Sequence, residues 1–208
     1  LERYRAVAEA YIKALERRVA ENKPVDTINS VASIFVSRID TMVDGMLKKR
    51  IDAGERQLAE LLGTAAVANA KMVYQAFKEI FSTPRWKALA ARGAAVQRPL
   101  WGSTGTKNPA YSDLKYVETL IGTETVNTVP PKTSAAILDH GKAELTVEKD
   151  LDAARRSLAR LHEAGISMEE VTAKLEEDGV SAFEKSFDGL QEFLDKKRAA
   201  VQSAAAVK

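Results

Sequence analysis

The chain contains no cysteine, which excludes disulfides, thiol nucleophiles and thiolate metal sites. Only two histidines occur, His140 and His162, so a multi-histidine metal centre is not expected. Aromatic residues are sparse, and no apolar run approaches the roughly 20 residues that a membrane-spanning helix requires. Charge of one sign is nowhere concentrated. The 31 basic and 29 acidic residues are spread along the length for a formal net charge of +2. That distribution suits neither a phosphate backbone nor a lipid surface, so no nucleic-acid or membrane partner is expected. No charged-then-apolar leader precedes the first helical pattern, and a cytoplasmic location is the expectation.

What is present is the composition of a folded protein: 208 residues, 45% hydrophobic and 29% charged. The first residue is Leu1, set directly in a helical pattern with no preceding cap, which reads as a cut. Leu1, Tyr4, Val7, Ala8, Tyr11, Ile12, Leu15 and Val19 recur at three- and four-residue spacings and predict an amphipathic helix. The short apolar run from Val31 to Val36 predicts a strand buried on both faces. Met42 to Leu62 predicts one long helical stretch ending near Gly63, and a further helix is expected from about Ala65 to Phe81. Pro84 suits the first turn of a short helix carrying Trp86 and Leu89.

Arg98 to Thr104 predicts a second strand, with Pro99 at its entry, where a missing amide donor is tolerated. A helix from about Ser112 to Ile121 and a third strand from Thr125 to Val129 follow. From Lys132 onward nearly everything reads as helical. Ser167 with Glu170, and Ser181 with Glu184, form two capping boxes that predict two helix starts. The small-residue tail from Gln202 to Lys208 is expected to fray. Apolar strands separated by helices imply an α/β fold with a parallel sheet. Three such strands cannot close a barrel, which typically takes about 250 residues. The chain is therefore either a small α/β layer or part of something larger.

Three stretches in register favour the second reading. Ser33-Ile34-Phe35-Val36-Ser37-Arg38-Ile39-Asp40 resembles the sixth barrel strand of transaldolases, with its Ser-x-Phe-x-x-Arg pattern. The stretch from Arg98 to Tyr111 resembles the seventh strand and its loop in the long bacterial branch of that family, and Thr125 to Pro131 resembles the eighth strand. The resemblance covers about residues 1 to 200. It implies the C-terminal portion of a (β/α)8 TIM barrel: residues 1–28 as the helix after a missing fifth strand, 29–131 as strands 6 to 8 with their helices, and 132–208 as a helical C-terminal region.

Transaldolases transfer a dihydroxyacetone unit between sugar phosphates through a lysine Schiff base, without metal or organic cofactor. The resemblance therefore implies an enzyme of the pentose phosphate pathway. Its partners would be sedoheptulose 7-phosphate, glyceraldehyde 3-phosphate, erythrose 4-phosphate and fructose 6-phosphate. In the family the lysine lies on the fourth strand, so the resemblance places it upstream of Leu1. No lysine of this chain inherits the role, and the chain alone is expected to be inactive. Lys71, on a predicted helix, reads as solvent-facing or structural.

Ser33 and Phe35 are two apart on a strand and share a face. Packing inside a barrel would explain them, but the resemblance makes them substrate-pocket residues. Arg38 falls just past the strand, where its guanidinium can grip a phosphate through paired hydrogen bonds. A lone loop arginine is otherwise a solvated charge. Ser103 ends the second strand and could donate to the same phosphate. Lys107 and Asn108 follow in a loop of the kind that builds phosphate sites in barrels. Shorter family members carry a phosphate arginine sooner after the serine, and Lys107 is the candidate replacement. Two alternatives stand beside the transaldolase reading: another Schiff-base aldolase barrel that acts on sugar phosphates, and a non-enzymatic helical interaction module.

Overall fold

A computed structural model describes residues 1–206, with side chains through residue 202. The chain divides into two units, Leu1–Met168 and a second from Glu169 onward. In the first, α1 (Glu2–Ala20) leads to β1 (Ser30–Phe35), α2 (Ser37–Asp52), a 3-10 segment (Arg56–Leu61), α3 (Ala65–Ile80) and α4 (Pro84–Ala90). Then come β2 (Gln97–Gly102), α5 (Lys115–Glu118), β3 (Val126–Asn127), α6 (Pro131–His140) and α7 (Leu151–Glu163). The second unit is the body of one long helix, α8 (Met168–Ala206). The expected fraying from Gln202 onward is not seen as far as Ala206, and Val207 and Lys208 lie outside the described residues.

The predicted face of α1 is present but narrower than expected. Tyr4, Ala8, Ile12 and Leu15 are buried, while Leu1 and Val7 are exposed. Ile12 and Leu15 pack with Val25, Trp86 and Leu89 in a small cluster that ties α1 to α4. As expected, Pro84 opens α4, and the Thr83 hydroxyl accepts the Trp86 amide at 3.2 Å to cap it. The long helical stretch predicted from Met42 to Leu62 is broken instead. Gly54 takes a left-handed φ of +116°, which ends α2, and the remainder tightens into the 3-10 segment.

The sheet is parallel, in the order β1-β2-β3. Ser30 lies opposite Gln97 and Phe35 opposite Gly102, while Leu100 lies opposite Val126. Ala32, Pro99 and Trp101 are buried on one face, and Trp101 donates its indole N–H to the Leu120 carbonyl at 3.0 Å. The other face is open: Val31 and Phe35 are 41% and 44% exposed, and Ser33 and Arg98 are exposed beside them. The expectation that β1 is buried on both faces is therefore wrong. No element covers its alternate residues, which is unusual for a parallel sheet.

Pro99 is also not at a strand entry but inside the central strand. Its backbone faces the same side as that of Trp101, whose carbonyl accepts the Thr128 amide. β3 reaches only Leu100 and Trp101, so no ladder bond is lost at the proline. The third strand itself is two residues rather than five, and the helix expected over Ser112–Ile121 is confined to α5. The Ser181–Glu184 capping box starts no helix, because both residues lie inside α8.

Burial of Trp101 at 1% exposure makes it the largest fully enclosed side chain. Trp101→Ala is expected to cost about 3–5 kcal/mol in urea unfolding. Val7→Ala, on the exposed side of α1, is expected to stay within about 0.5 kcal/mol.

Candidate functional site

The C-terminal ends of β1 and β2 emerge side by side. The Val36 amide donates to the Gly102 carbonyl at 2.9 Å and the Ser37 amide to the Ser103 carbonyl at 3.1 Å, extending the ladder past the strands. The two serine hydroxyls are 3.0 Å apart, with either as donor. Ser103 takes a left-handed φ of +56°, an uncommon conformation for a residue with a Cβ.

Phe35 ends β1 on the open face, beside Gly102. A Cβ at Gly102 would lie 3.5 Å from the Phe35 ring, so the absence of a side chain there leaves the ring room. Arg38, in the first turn of α2, lays its guanidinium over that ring, 4.4 Å from the centroid. Among the described residues Arg38 has no carboxylate partner. Ser33 shares the open face one pleat earlier. Of the residues singled out from sequence, Phe35, Arg38 and Ser103 thus gather at one edge, and Ser33 lines the approach to it. Lys107 stands exposed in the following loop, and no hydrogen bond or ion pair among the described residues joins it to them.

The loop between β2 and α5 is held at several points. Thr104 is fully buried and donates to the Asn127 side-chain oxygen at 2.7 Å, tying the loop to β3. Thr106 donates to the Ser112 and Asp113 carbonyls at 2.8 and 3.2 Å, closing a neck. Beyond the neck, Tyr111 donates to Asp44 at 2.6 Å. Asp44 also accepts the Gly63 amide at 2.7 Å. One turn earlier on α2, Asp40 is 1% exposed and accepts from the Ala66 amide, the Tyr116 hydroxyl and the Lys115 ammonium at 2.7, 2.8 and 3.1 Å. The Lys115 ammonium also donates to the Gly63 carbonyl at 2.6 Å and lies 3.7 Å from the Tyr111 ring centroid.

Burial, reinforced by Asp44, raises the Tyr111 pKa, and burial with Asp40 does the same for Tyr116. Both phenols therefore stay protonated donors across the physiological range. Each carboxylate oxygen of Asp40 and Asp44 already meets a donor, so the pair is a structural anchor rather than an open ligand set. Among the described residues no group of three or more His, Asp or Glu is placed to hold a metal ion.

Sequence reasoning missed Ser37, Asn127 and this Asp40–Asp44 cluster. A signal existed for the last: two carboxylates four apart, on the face of α2 that also carries Ile39, Val43 and Leu47. Lys71 proves structural, not solvent-facing. It is buried, donates to the Lys149 carbonyl, and has its pKa lowered by that burial. His140 is the last residue of α6, and His162 lies in the last turn of α7. No helix among the described residues is long and apolar enough to cross a membrane.

With this arrangement described, comparison with known proteins is direct. The family model for transaldolase/fructose-6-phosphate aldolase matches residues 1–194. The chain belongs to the transaldolase/fructose-6-phosphate aldolase family. It is 46% identical over 191 residues to a transaldolase of Thermobifida fusca, covering 91% of this chain and 51% of that protein. A transaldolase of Thiobacillus denitrificans is 46% identical over 185 residues, covering 89% of this chain and 51% of its own length. One from a Parafrankia species is 45% identical over 206 residues, covering 99% and 54%. The chain thus spans about half the length of these curated relatives.

His140 closes the far end of the loop by pairing with Asp139 at 3.0 Å and Asp113 at 3.2 Å, and these two carboxylates, Asp139 foremost, raise its pKa. Its contribution to stability is therefore complete below pH 6.5 and is lost as pH rises through the folded-state value. Asp113→Asn is expected to move the His140 midpoint down toward 6.5 in an NMR titration. An unchanged midpoint would show that Asp113 does not engage the ring.

Proposed function

We infer that the chain is the C-terminal sector of a transaldolase barrel, with β1, β2 and β3 in the places of the sixth, seventh and eighth strands. On this reading residues 29–131 form the barrel wall, and the open sheet face belongs to the interior that the remaining strands enclose. The single observation that carries the reading is the gathering of Phe35, Arg38 and Ser103 at one edge of a parallel sheet whose inner face is bare. In barrels of this type active sites lie at the C-terminal ends of the strands.

Ser33 and Phe35 would line the sugar, while Arg38, Ser103 and Lys107 would hold its phosphate. Arg38 suits that task physically. It has no carboxylate to neutralise it, stacking on Phe35 limits its rotamers, and it lies in the first turn of a 16-residue helix whose dipole favours an anion. The Ser37–Ser103 hydroxyl pair supplies a donor whose proton can turn outward.

The chemistry proposed for the whole enzyme is transfer of a dihydroxyacetone unit from a ketose phosphate to an aldose phosphate in the pentose phosphate pathway, in the cytoplasm. A lysine outside this chain would attack the ketose carbonyl, and carboxylates outside it would move the protons. This chain then supplies binding and orientation, not the nucleophile. Its own buried lysine, Lys71, lies on α3 and is committed to the Lys149 carbonyl. The family name also covers fructose-6-phosphate aldolases. Transfer to erythrose 4-phosphate distinguishes a transaldolase from an aldolase that only cleaves or condenses. A helical interaction module is the remaining alternative, supported by exposed Phe183, Phe187, Leu190 and Leu194 on α8.

In the enzyme of full family length that carries this segment, Arg38→Ala removes charged hydrogen bonds worth about 1.5–3 kcal/mol, so KM for fructose 6-phosphate is expected to rise roughly 10- to 150-fold. The 208-residue chain alone is expected to form no borohydride-trappable adduct with that sugar. Unchanged kinetics in the variant would refute the phosphate role, and an adduct would refute the missing nucleophile.

A further inference from the structure

The tip of the loop after β2, residues 107–111, hangs beyond the neck that Thr106 closes onto Ser112 and Asp113. Within the tip, Asn108 makes only local bonds, accepting the Ala110 amide at 3.0 Å and the Tyr111 amide at 3.1 Å. Among the described residues, one tip side chain reaches the body of the protein by hydrogen bond, and it is Tyr111. Its hydroxyl meets Asp44 at 2.6 Å. Its ring rests on Gly63, where an added Cβ would come within 2.6 Å of the ring carbon that bears the hydroxyl. The Lys115 ammonium covers it 3.7 Å from the centroid. Gly63 itself has a left-handed φ of +70°, so its backbone and its missing side chain both suit this seat.

Asp44 and Arg38 lie on the same helix, α2. A tip fixed to Asp44 is therefore fixed relative to the guanidinium at the head of that helix. We propose that Tyr111 is a positioning residue that sets where Lys107 stands relative to Arg38, so that the two cations face one phosphate monoester. This rests on the phosphate-binding reading of the edge given above. Lys107 has four rotatable side-chain bonds and no partner among the described residues, so without a fixed backbone its charge would spread over a wide volume and bind an anion weakly. In this role Tyr111 acts through the loop rather than by contact with the phosphate.

The test titrates the 208-residue chain with inorganic phosphate while following the amides of Arg38, Ser103 and Lys107 by NMR, with hydrogen exchange read in parallel. Tyr111→Phe keeps the ring on Gly63 and removes only the bond to Asp44. It is expected to speed exchange of the 107–110 amides other than proline and to weaken phosphate about tenfold, within the range for a charged hydrogen bond. In a Lys107→Ala background the same change is expected to have no further effect on phosphate. Tyr116→Phe removes an equivalent phenol bond, to Asp40 at 2.8 Å, without touching the tip, and is expected to lower stability but leave phosphate affinity alone. If Tyr111→Phe leaves the affinity unchanged while Arg38→Ala weakens it, the positioning role is wrong and the phosphate site stands. An equal loss in both Tyr variants likewise overturns positioning in favour of general stability. If Arg38→Ala changes nothing, or phosphate moves none of the three amides, the phosphate site fails and the positioning role with it.

Discussion

Six residues of β1 lie in parallel beside six of β2, from Ser30 opposite Gln97 to Phe35 opposite Gly102, and the chemistry at the edge follows from that register. Both strands leave the sheet in the same direction, so Ser37 and Ser103 meet although they are 66 residues apart in sequence. The pleat then decides which side chains look outward. A slip of one residue would turn Phe35 and Ser33 into the helix layer and carry Ala32 and Ile34 to the open face. On β2 the facing is fixed by Trp101, whose indole N–H finds the Leu120 carbonyl on the covered side.

Behind the edge, α2 performs two tasks. Its first turn presents Arg38 and buries Asp40, and its second buries Asp44. Burying two carboxylates is costly unless each oxygen is satisfied. Here backbone amides, two phenols and an ammonium satisfy them. The polar cluster is therefore well determined, and it joins α2, the start of α3 and the segment leading into α5. An apolar contact of similar area would hold the same elements but would not fix their angular relation as hydrogen bonds do.

How much of this was legible in the sequence varied with the range of the interaction. The strands were visible as short apolar runs, and Pro84 announced α4 as a first-turn residue. Phe35, Arg38 and Ser103 could be picked out because the family resemblance marks the strand ends beside which they lie. The errors were of two kinds. Gly54 was overlooked as a helix stop, and the Ser181–Glu184 pair was taken for a cap, although a capping box has meaning only where the chain stops being helical. The open face of β1 could not be read at all, since an apolar run looks the same whether one or two layers cover it. Asp44 and Tyr111 are 67 residues apart, and no periodicity connects them. Only the placement of carboxylates on the apolar side of α2 hinted that they must find partners.

The seat of Tyr111 on Gly63 also restricts how the sequence can drift. A side chain at position 63 is blocked as long as the ring lies against it, and even after the ring is gone the left-handed backbone there still disfavours most residues. Loss of the ring is the reversible first step and loss of the glycine the second. The two positions are thus expected to vary together along a lineage, with glycine outlasting tyrosine.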